Sequence, residues 1–165
     1  GMVNKFTGDG MLAVFGAPVS AGSGRDASQA LAAARSIQTG ILNLNQTLKK
    51  QGSAALRLRV GIHSGVVLTG SLGSRERLEY AVIGDTVNCA SRLESLDKER
   101  HQGVVRVLVS STTLVLAGEN LEQPSLNDWG EITVTGRKEP LRVFELGNVA
   151  SIKGRPPATP QANGS

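Results

Sequence analysis

The chain has 165 residues, 39% of them apolar and 19% charged, a length that suits one domain with its own core plus a tail. No apolar run approaches the ~20 residues of a membrane-crossing helix, and the single cysteine, Cys89, excludes an internal disulfide. A net charge of +4 fits an anionic small molecule, while 3% aromatic content leaves little for a nucleic-acid stacking surface.

The first predicted element is a β-hairpin. Val3-Asn4-Lys5-Phe6 and Met11-Leu12-Ala13-Val14-Phe15 flank Thr7-Gly8-Asp9-Gly10, where Asp-Gly is a tight-turn signal because such residues tolerate positive φ. Gly16-Ala17-Pro18 ends the second strand, and Ser20 to Gly24 form a small-residue loop. A long helix is predicted from Asp26, as N-cap, to Lys50. Its buried stripe is read as Ala30, Ala34, Ile37, Ile41, Leu44 and Leu48, with Lys49 and Lys50 at the negative end of the dipole and Gly52 at the stop.

Leu56 to Ile62 alternates strictly, which predicts a half-buried strand with Arg57 and Arg59 on its wet face. Val66-Val67-Leu68 and Tyr80-Ala81-Val82-Ile83 are two further strands. Asp85 caps a helix running to about Leu96, Val104 to Val109 is a strand, and Ser111 to Ala117 a short helix. Ile132-Thr133-Val134 pairs with Leu141 to Leu146 in a last hairpin. Residues 148–165, rich in Gly, Pro, Ala and Ser without periodicity, read as a disordered tail after a domain spanning 1–147. Hairpins with helices between them indicate an α+β open sheet, not a doubly wound parallel one.

Several polar residues exceed what structure alone requires. Asp9, between two glycines at a hairpin tip, reads either as a turn former or as a hard-cation ligand approached without steric obstruction. Two-metal phosphoryl chemistry needs at least one further carboxylate. Asn88 and Arg92 stand four apart and so share one helical face. They are either a solvated polar stripe or an amide and a guanidinium converging on a phosphoryl group, which Arg matches in a bidentate fork. Val87, Ala90 and Leu93 are read as that helix's packing face. Lys5 sits inside an apolar strand, where an outward-facing surface position is the plain alternative to a role in binding.

Other chemistry is excluded. His63 and Ser64 are adjacent, so on a strand they would point to opposite faces, and no third orienting group accompanies them. His63, His101 and Cys89 lack metal-ligand spacing. No phosphate-binding lysine loop exists, and the scattered glycines do not form a dinucleotide fingerprint.

Taken in order, these segments resemble a known family. Lys5-Phe6-Thr7-Gly8-Asp9-Gly10 with Phe15-Gly16-Ala17-Pro18 resembles the metal-bearing hairpin of class III nucleotidyl cyclases, and Gly61-Ile62-His63-Ser64-Gly65 resembles their glycine-rich strand. The segment from Tyr80 through Gly84-Asp85-Thr86-Val87-Asn88 to Arg92-Leu93-Glu94 is similar to the family's most specific stretch. The resemblance runs from about Val3 to Leu146. It implies a ferredoxin-like open antiparallel sheet with helices, working as a head-to-tail homodimer with sites at the subunit interface.

The implied reaction converts ATP to 3′,5′-cyclic AMP and pyrophosphate with two Mg²⁺ or Mn²⁺ ions per site. By resemblance, Asp9 matches the second metal aspartate, Asn88 the residue that orients the ribose and Arg92 the one that stabilises the transferring phosphorus. Lys5 matches the adenine-reading lysine, and Arg137 a basic residue on the terminal phosphates, with Arg in place of the commoner Lys.

Two departures from the pattern stand out. Ala81 occupies the position where adenylyl cyclases carry Asp or Thr. The family's first metal aspartate lies upstream of the hairpin, so the chain is expected to lack the first strand and the helices after it. The resemblance further implies a cytosol-facing domain whose membrane contact, if any, comes through parent segments, with no nucleic-acid partner. Guanylyl cyclase, a catalytically silent nucleotide-binding module and a ferredoxin-like RNA-binding domain are the competing readings. The last would want aromatics on exposed strands, and Phe6, Phe15 and Tyr80 form no such pattern.

Overall fold

The computed structural model describes residues 1–74, 77–97, 103–123, 125–134 and 139–147, with the side chains of 72–74 and 77–79 left undescribed. Arg137, His101 and the expected tail at 148–165 lie outside the described residues.

The chain opens with a hairpin of β1 (Met2–Thr7) and β2 (Gly10–Val14), followed by the long helix α1 (Ser23–Lys50). Strand β3 (Leu58–Ile62) precedes a second hairpin of β4 (Leu68–Ser74) and β5 (Arg77–Ile83), and helix α2 (Asp85–Ser95) follows. Strand β6 (Val105–Ser110), helix α3 (Ser111–Leu116), β7 (Leu126–Ile132) and β8 (Leu141–Leu146) complete the described elements. No described helix is long and apolar enough to cross a membrane.

Four strands form the main sheet in the order β3-β6-β8-β7, with β3 and β6 parallel and the other pairs antiparallel. The two hairpins are separate two-stranded ribbons. The α+β reading holds, with one parallel crossover through the β4-β5 hairpin and α2. Strand β6 is buried along its whole length because helices cover both of its faces. On one face Val105, Val107 and Val109 pack with Leu31 and Ala34 of α1, Leu114 of α3, and Phe144 and Leu146. On the other, Leu108 packs with Cys89 and Leu93 of α2, and with Val134, Leu141 and Val143.

Helix α1 starts three residues before the expected cap. Asp26 lies in its first turn, where its carboxylate accepts from Ser20 Oγ at 2.5 Å and from the Ala21 amide at 3.2 Å. Asp26 thus fastens the preceding loop instead of capping the helix. The C-terminus is as expected: Gly52 takes φ 70°, its amide donates to Lys49 O, and Ser53 N donates to Leu48 O, the two bonds of a Schellman stop. The buried stripe is rotated from the sequence reading. It comprises Ala27, Leu31, Ala34 and Gln38, while Leu44 is exposed. Periodicity found the helix but not its facing, because Gln38 is buried by donating Nε2 to Leu146 O at 3.3 Å.

Four further differences are local. Leu56 lies outside β3 and is exposed. Arg59 is not on a wet face: α2 covers it, and its Nε donates to Glu94 Oε1 at 2.8 Å. Strand β4 runs through Gly70 and Gly73 to Ser74, since the backbone ladder with β5 tolerates glycine where a sequence pattern reads interruption. Strand β7 begins at Leu126, six residues before the expected strand. A bulge between Asp128 and Gly130, with Gly130 at φ 79°, absorbs a polar stretch that reads as loop.

Candidate active site

Asp9 stands at the hairpin tip, exposed, in a two-residue turn closed by the Thr7–Gly10 pair. Gly8, at φ 65°, carries the positive dihedral at the first central position, so the demanding conformation falls on Gly8 and not on the Asp9-Gly10 pair. Asp9 is therefore held by a glycine turn and its carboxylate faces outward. Lys5 is exposed on β1, immediately after a bulge that leaves Asn4 without a register partner on β2. The Asn4 side chain uses that freedom: Nδ2 donates to Tyr80 O of β5 at 2.7 Å. The strand that carries Lys5 is thereby tied to the strand that carries Ala81.

Asn88 and Arg92 project from α2, whose inward side is Cys89 and Leu93, both at most 1% exposed. Val87 and Ala90 are half-buried, so the packing face is centred one residue away from where the sequence reading put it. The helix sits directly on β3 because Gly61 has no side chain. A Cβ there would overlap Ala90 O and Glu94 N and stand 3.0 Å from Leu93 C. Thr86 Oγ1 donates to Val66 O at 2.8 Å and pins the helix start. Asn88 is exposed and Arg92 half-buried, one turn apart on a helix with little freedom to move.

His63 and Ser64 follow β3 and are not a strand pair with opposed faces. His63 Nδ1 lies 2.8 Å from Ser110 Oγ, Ser110 Oγ lies 3.1 Å from Thr113 Oγ1, and Thr113 Oγ1 donates to Ser64 Oγ at 3.0 Å. The two side chains share one hydroxyl network that joins the ends of β3 and β6 to α3. They border a cleft of about 390 Å³ that also touches Asp85, Thr86 and Glu139. None of Lys5, Asp9, Asn88 and Arg92 lines that cleft. Lys5, Asp9 and Asn88 are exposed on the first hairpin and α2, while Ala81 on β5 and Arg92 on α2 are half-buried.

Sequence reasoning missed Asn4, Glu94, Arg106 and the inward role of Arg59. A charged residue centred in an apolar strand, Arg106 within Val105 to Val109, was the available signal.

Asp9 offers one carboxylate, and among the described residues no group of three or more His, Cys, Asp or Glu side chains could hold an ion. These residues by themselves do not fit a two-metal centre.

The Adenylate and Guanylate cyclase catalytic domain family matches residues 4–147. Adenylate cyclase 1 of Rhizobium meliloti is 32% identical over 146 residues, covering 88% of this chain and 21% of that protein. A Mycobacterium tuberculosis protein of uncharacterised function is 39% identical over 144 residues, covering 87% of this chain and 23% of its own length. The chain thus spans between a fifth and a quarter of these relatives. Among solved structures, the guanylyl cyclase Cya2 superposes with a TM-score of 0.73 at 30% identity, over 92% of this chain and 73% of that one. The adenylyl cyclase CyaB from P. aeruginosa gives 0.73 at 29% identity, over 87% and 70%. The chain belongs to the class III adenylate and guanylate cyclase catalytic domain family.

Proposed function

We propose that residues 1–147 belong to the catalytic domain of an adenylyl cyclase, which converts ATP to 3′,5′-cyclic AMP and pyrophosphate between two copies of that domain once a further carboxylate joins Asp9. The observation that carries the reading is the pair Asn88 and Arg92, one turn apart on the outward side of a helix fixed at both ends. In the reaction the ribose 3′-oxygen attacks the α-phosphorus and gives its proton to water. The bond from that phosphorus to the oxygen bridging the β-phosphorus breaks, and pyrophosphate leaves. Asn88, an amide with both donor and acceptor, orients the ribose. Arg92 donates to the phosphoryl oxygens where negative charge builds, a contact worth most in the transition state.

Lys5 donates to the ring acceptor of adenine. Guanine presents a donor there, which would leave two donors facing one another. Ala81 contributes only a methyl beside it, so discrimination rests on the lysine. The Asn4–Tyr80 bond supports this assignment by tying the two strands together. Arg137 is assigned to the terminal phosphates. Asp9 and Lys5 share one hairpin but serve opposite sites of the dimer: one subunit lends the aspartate, and the other lends Lys5, Asn88 and Arg92. Asp9 would hold Mg²⁺ or Mn²⁺ only together with a further carboxylate.

The two solved relatives carry adenylyl and guanylyl names at almost equal identity, so the choice of base rests on Lys5. Competition between ATP and GTP in the full-length protein tests it. ATP should be preferred, and Lys5→Glu should shift the preference towards GTP. Equal turnover of both nucleotides by the unmodified protein would overturn the adenylyl assignment.

A further inference from the structure

A helix end leaves its last carbonyls without intrahelical donors. After Ser95 the chain leaves α2 through Leu96, extended at φ −59° and ψ 129°, and Asp97, at φ 42°. The donors come from β6. Arg106 lies in a strand buried at every position and is itself 2% exposed. Its Nη1 donates to Asp97 O at 2.8 Å, while Nη2 donates to Leu96 O and, at 3.4 Å, to Glu94 O. The guanidinium stands 5.5 Å from the ring centroid of Trp129, whose indole N–H donates to Glu145 Oε2 at 3.1 Å.

A buried arginine is an expensive way to fill a strand position that an apolar residue would fill as well. Its surroundings show the cost. Desolvation pulls the guanidinium below its usual pKa, and Glu145 is the strongest influence in the opposite direction. A second arginine makes the arrangement costlier still. Arg59 is the register partner of Arg106 on the paired strand β3, and the two like charges lie side by side on the α2 face. Arg59 takes the Glu94 side chain at 2.8 Å, while Arg106 takes the backbone from Glu94 to Asp97. Both grip the same turn, the one that follows Arg92.

We propose that Arg106 is a positioning residue: by clamping the C-terminal turn of α2 beside Arg59, it fixes the rotation and height at which Arg92 and Asn88 meet the nucleotide. The proposal rests on the reading of Arg92 and Asn88 given above. It goes beyond that reading by assigning a role to a buried side chain that touches no substrate.

The test uses Arg106→Gln and Arg106→Lys in the full-length protein, with activity normalised to folded protein by circular dichroism and melting. For Arg106→Gln, kcat should fall about tenfold or more while KM for ATP stays within about threefold. Arg92→Ala added to Arg106→Gln should cost far less than it does alone, because a misplaced guanidinium has less to lose. Arg106→Lys, which keeps the charge and part of the donor set, should recover some of the loss. Amide exchange at Arg92, Ser95 and Leu96 should quicken about tenfold or more in both variants, including the lysine variant if Arg106→Gln does not fold. A folded Arg106→Gln with kcat within about twofold of the parent, or a loss that adds in full to that of Arg92→Ala, would overturn the proposal. Unchanged exchange in Arg106→Lys would overturn it as well. A parent protein that makes no cyclic nucleotide would defeat the functional reading alone, since exchange still reports on the clamp.

Discussion

The side-chain amide of Asn4 donates to the Tyr80 carbonyl at 2.7 Å, and this bond sets the Lys5 strand against the Ala81 strand. A side-chain to backbone hydrogen bond is worth about 1 kcal/mol net. Asn4→Ala should leave the domain folded and reduce base discrimination, lowering the ATP:GTP ratio of kcat/KM by about fivefold. Competition assays read the ratio directly. An unchanged ratio would show that Lys5 keeps its place without the tie.

Gly61 governs how close α2 lies to β3. A methyl there meets backbone on α2 and not a flexible side-chain end, so the helix must lift for the residue to fit. Gly61→Ala should destabilise the domain by about 3 kcal/mol, a fall in Tm of roughly 10 °C. Thermal melts check it, and a Tm within about 2 °C of the parent would mean that the helix moves freely.

Arg92→Ala should lower kcat by about 10²-fold with little change in KM, because the guanidinium is assigned to charge that develops during the reaction. Steady-state kinetics on the full-length protein separate the two parameters. A rise in KM alone would make Arg92 a ground-state binding residue.

The acid side of the stability profile should carry the mark of one surface pair. Arg142 donates to the Asp128 carboxylate at 2.7 Å, and this bond, then the Gly130 amide, holds that carboxyl below its usual range. A carboxyl lowered in the folded state stabilises the fold above its unfolded value of about 3.9. The contribution is lost as pH falls through the depressed folded value. Asp128→Asn should lower stability slightly at pH 7 and flatten the decline below about pH 4 by the same small amount, since both partners are exposed and screened. Denaturant titrations from pH 2 to 7 would show it.

How much of this was legible in the sequence follows from what each signal depends on. The first hairpin, the long helix and its Schellman stop, and the face shared by Asn88 and Arg92 depend on neighbours within a few residues. Local pattern finds these. The facing of α1 depends on Gln38 meeting Leu146, more than a hundred residues away. The inward turn of Arg59 depends on Glu94. The α2 clamp needs Arg106, Trp129 and Glu145 from three different strands. A charge inside an apolar strand is a signal that the sequence reading passes over at Arg106, and only the packing says what it holds. Strand β7 was shortened in the reading because a bulge at Trp129 lets polar residues and a positive-φ glycine remain inside a strand.

The last prediction concerns this chain by itself. Two copies paired in the proposed arrangement bring only Asp9 to each site, and the described residues assemble no other cluster able to hold an ion. One carboxylate is too few to draw two hard cations from their hydration shells. The purified chain should therefore make no cyclic nucleotide with Mg²⁺ or Mn²⁺. It still carries Lys5, Asn88 and Arg92, the contribution assigned to the opposite subunit. A complete cyclase domain whose own counterparts of Asn88 and Arg92 are replaced by alanine is inactive alone for the reverse reason. Mixing these two inactive proteins should restore up to one working site per heterodimer, with activity rising as the heterodimer forms. Adding Arg92→Ala to this chain should abolish the rescue, because it removes the guanidinium assigned to the transferring phosphorus. Turnover by the chain alone would refute the carboxylate argument. Silence in a mixture shown by circular dichroism and size-exclusion chromatography to be folded and paired would refute the assignment of Asp9 and Arg92 to opposite sides.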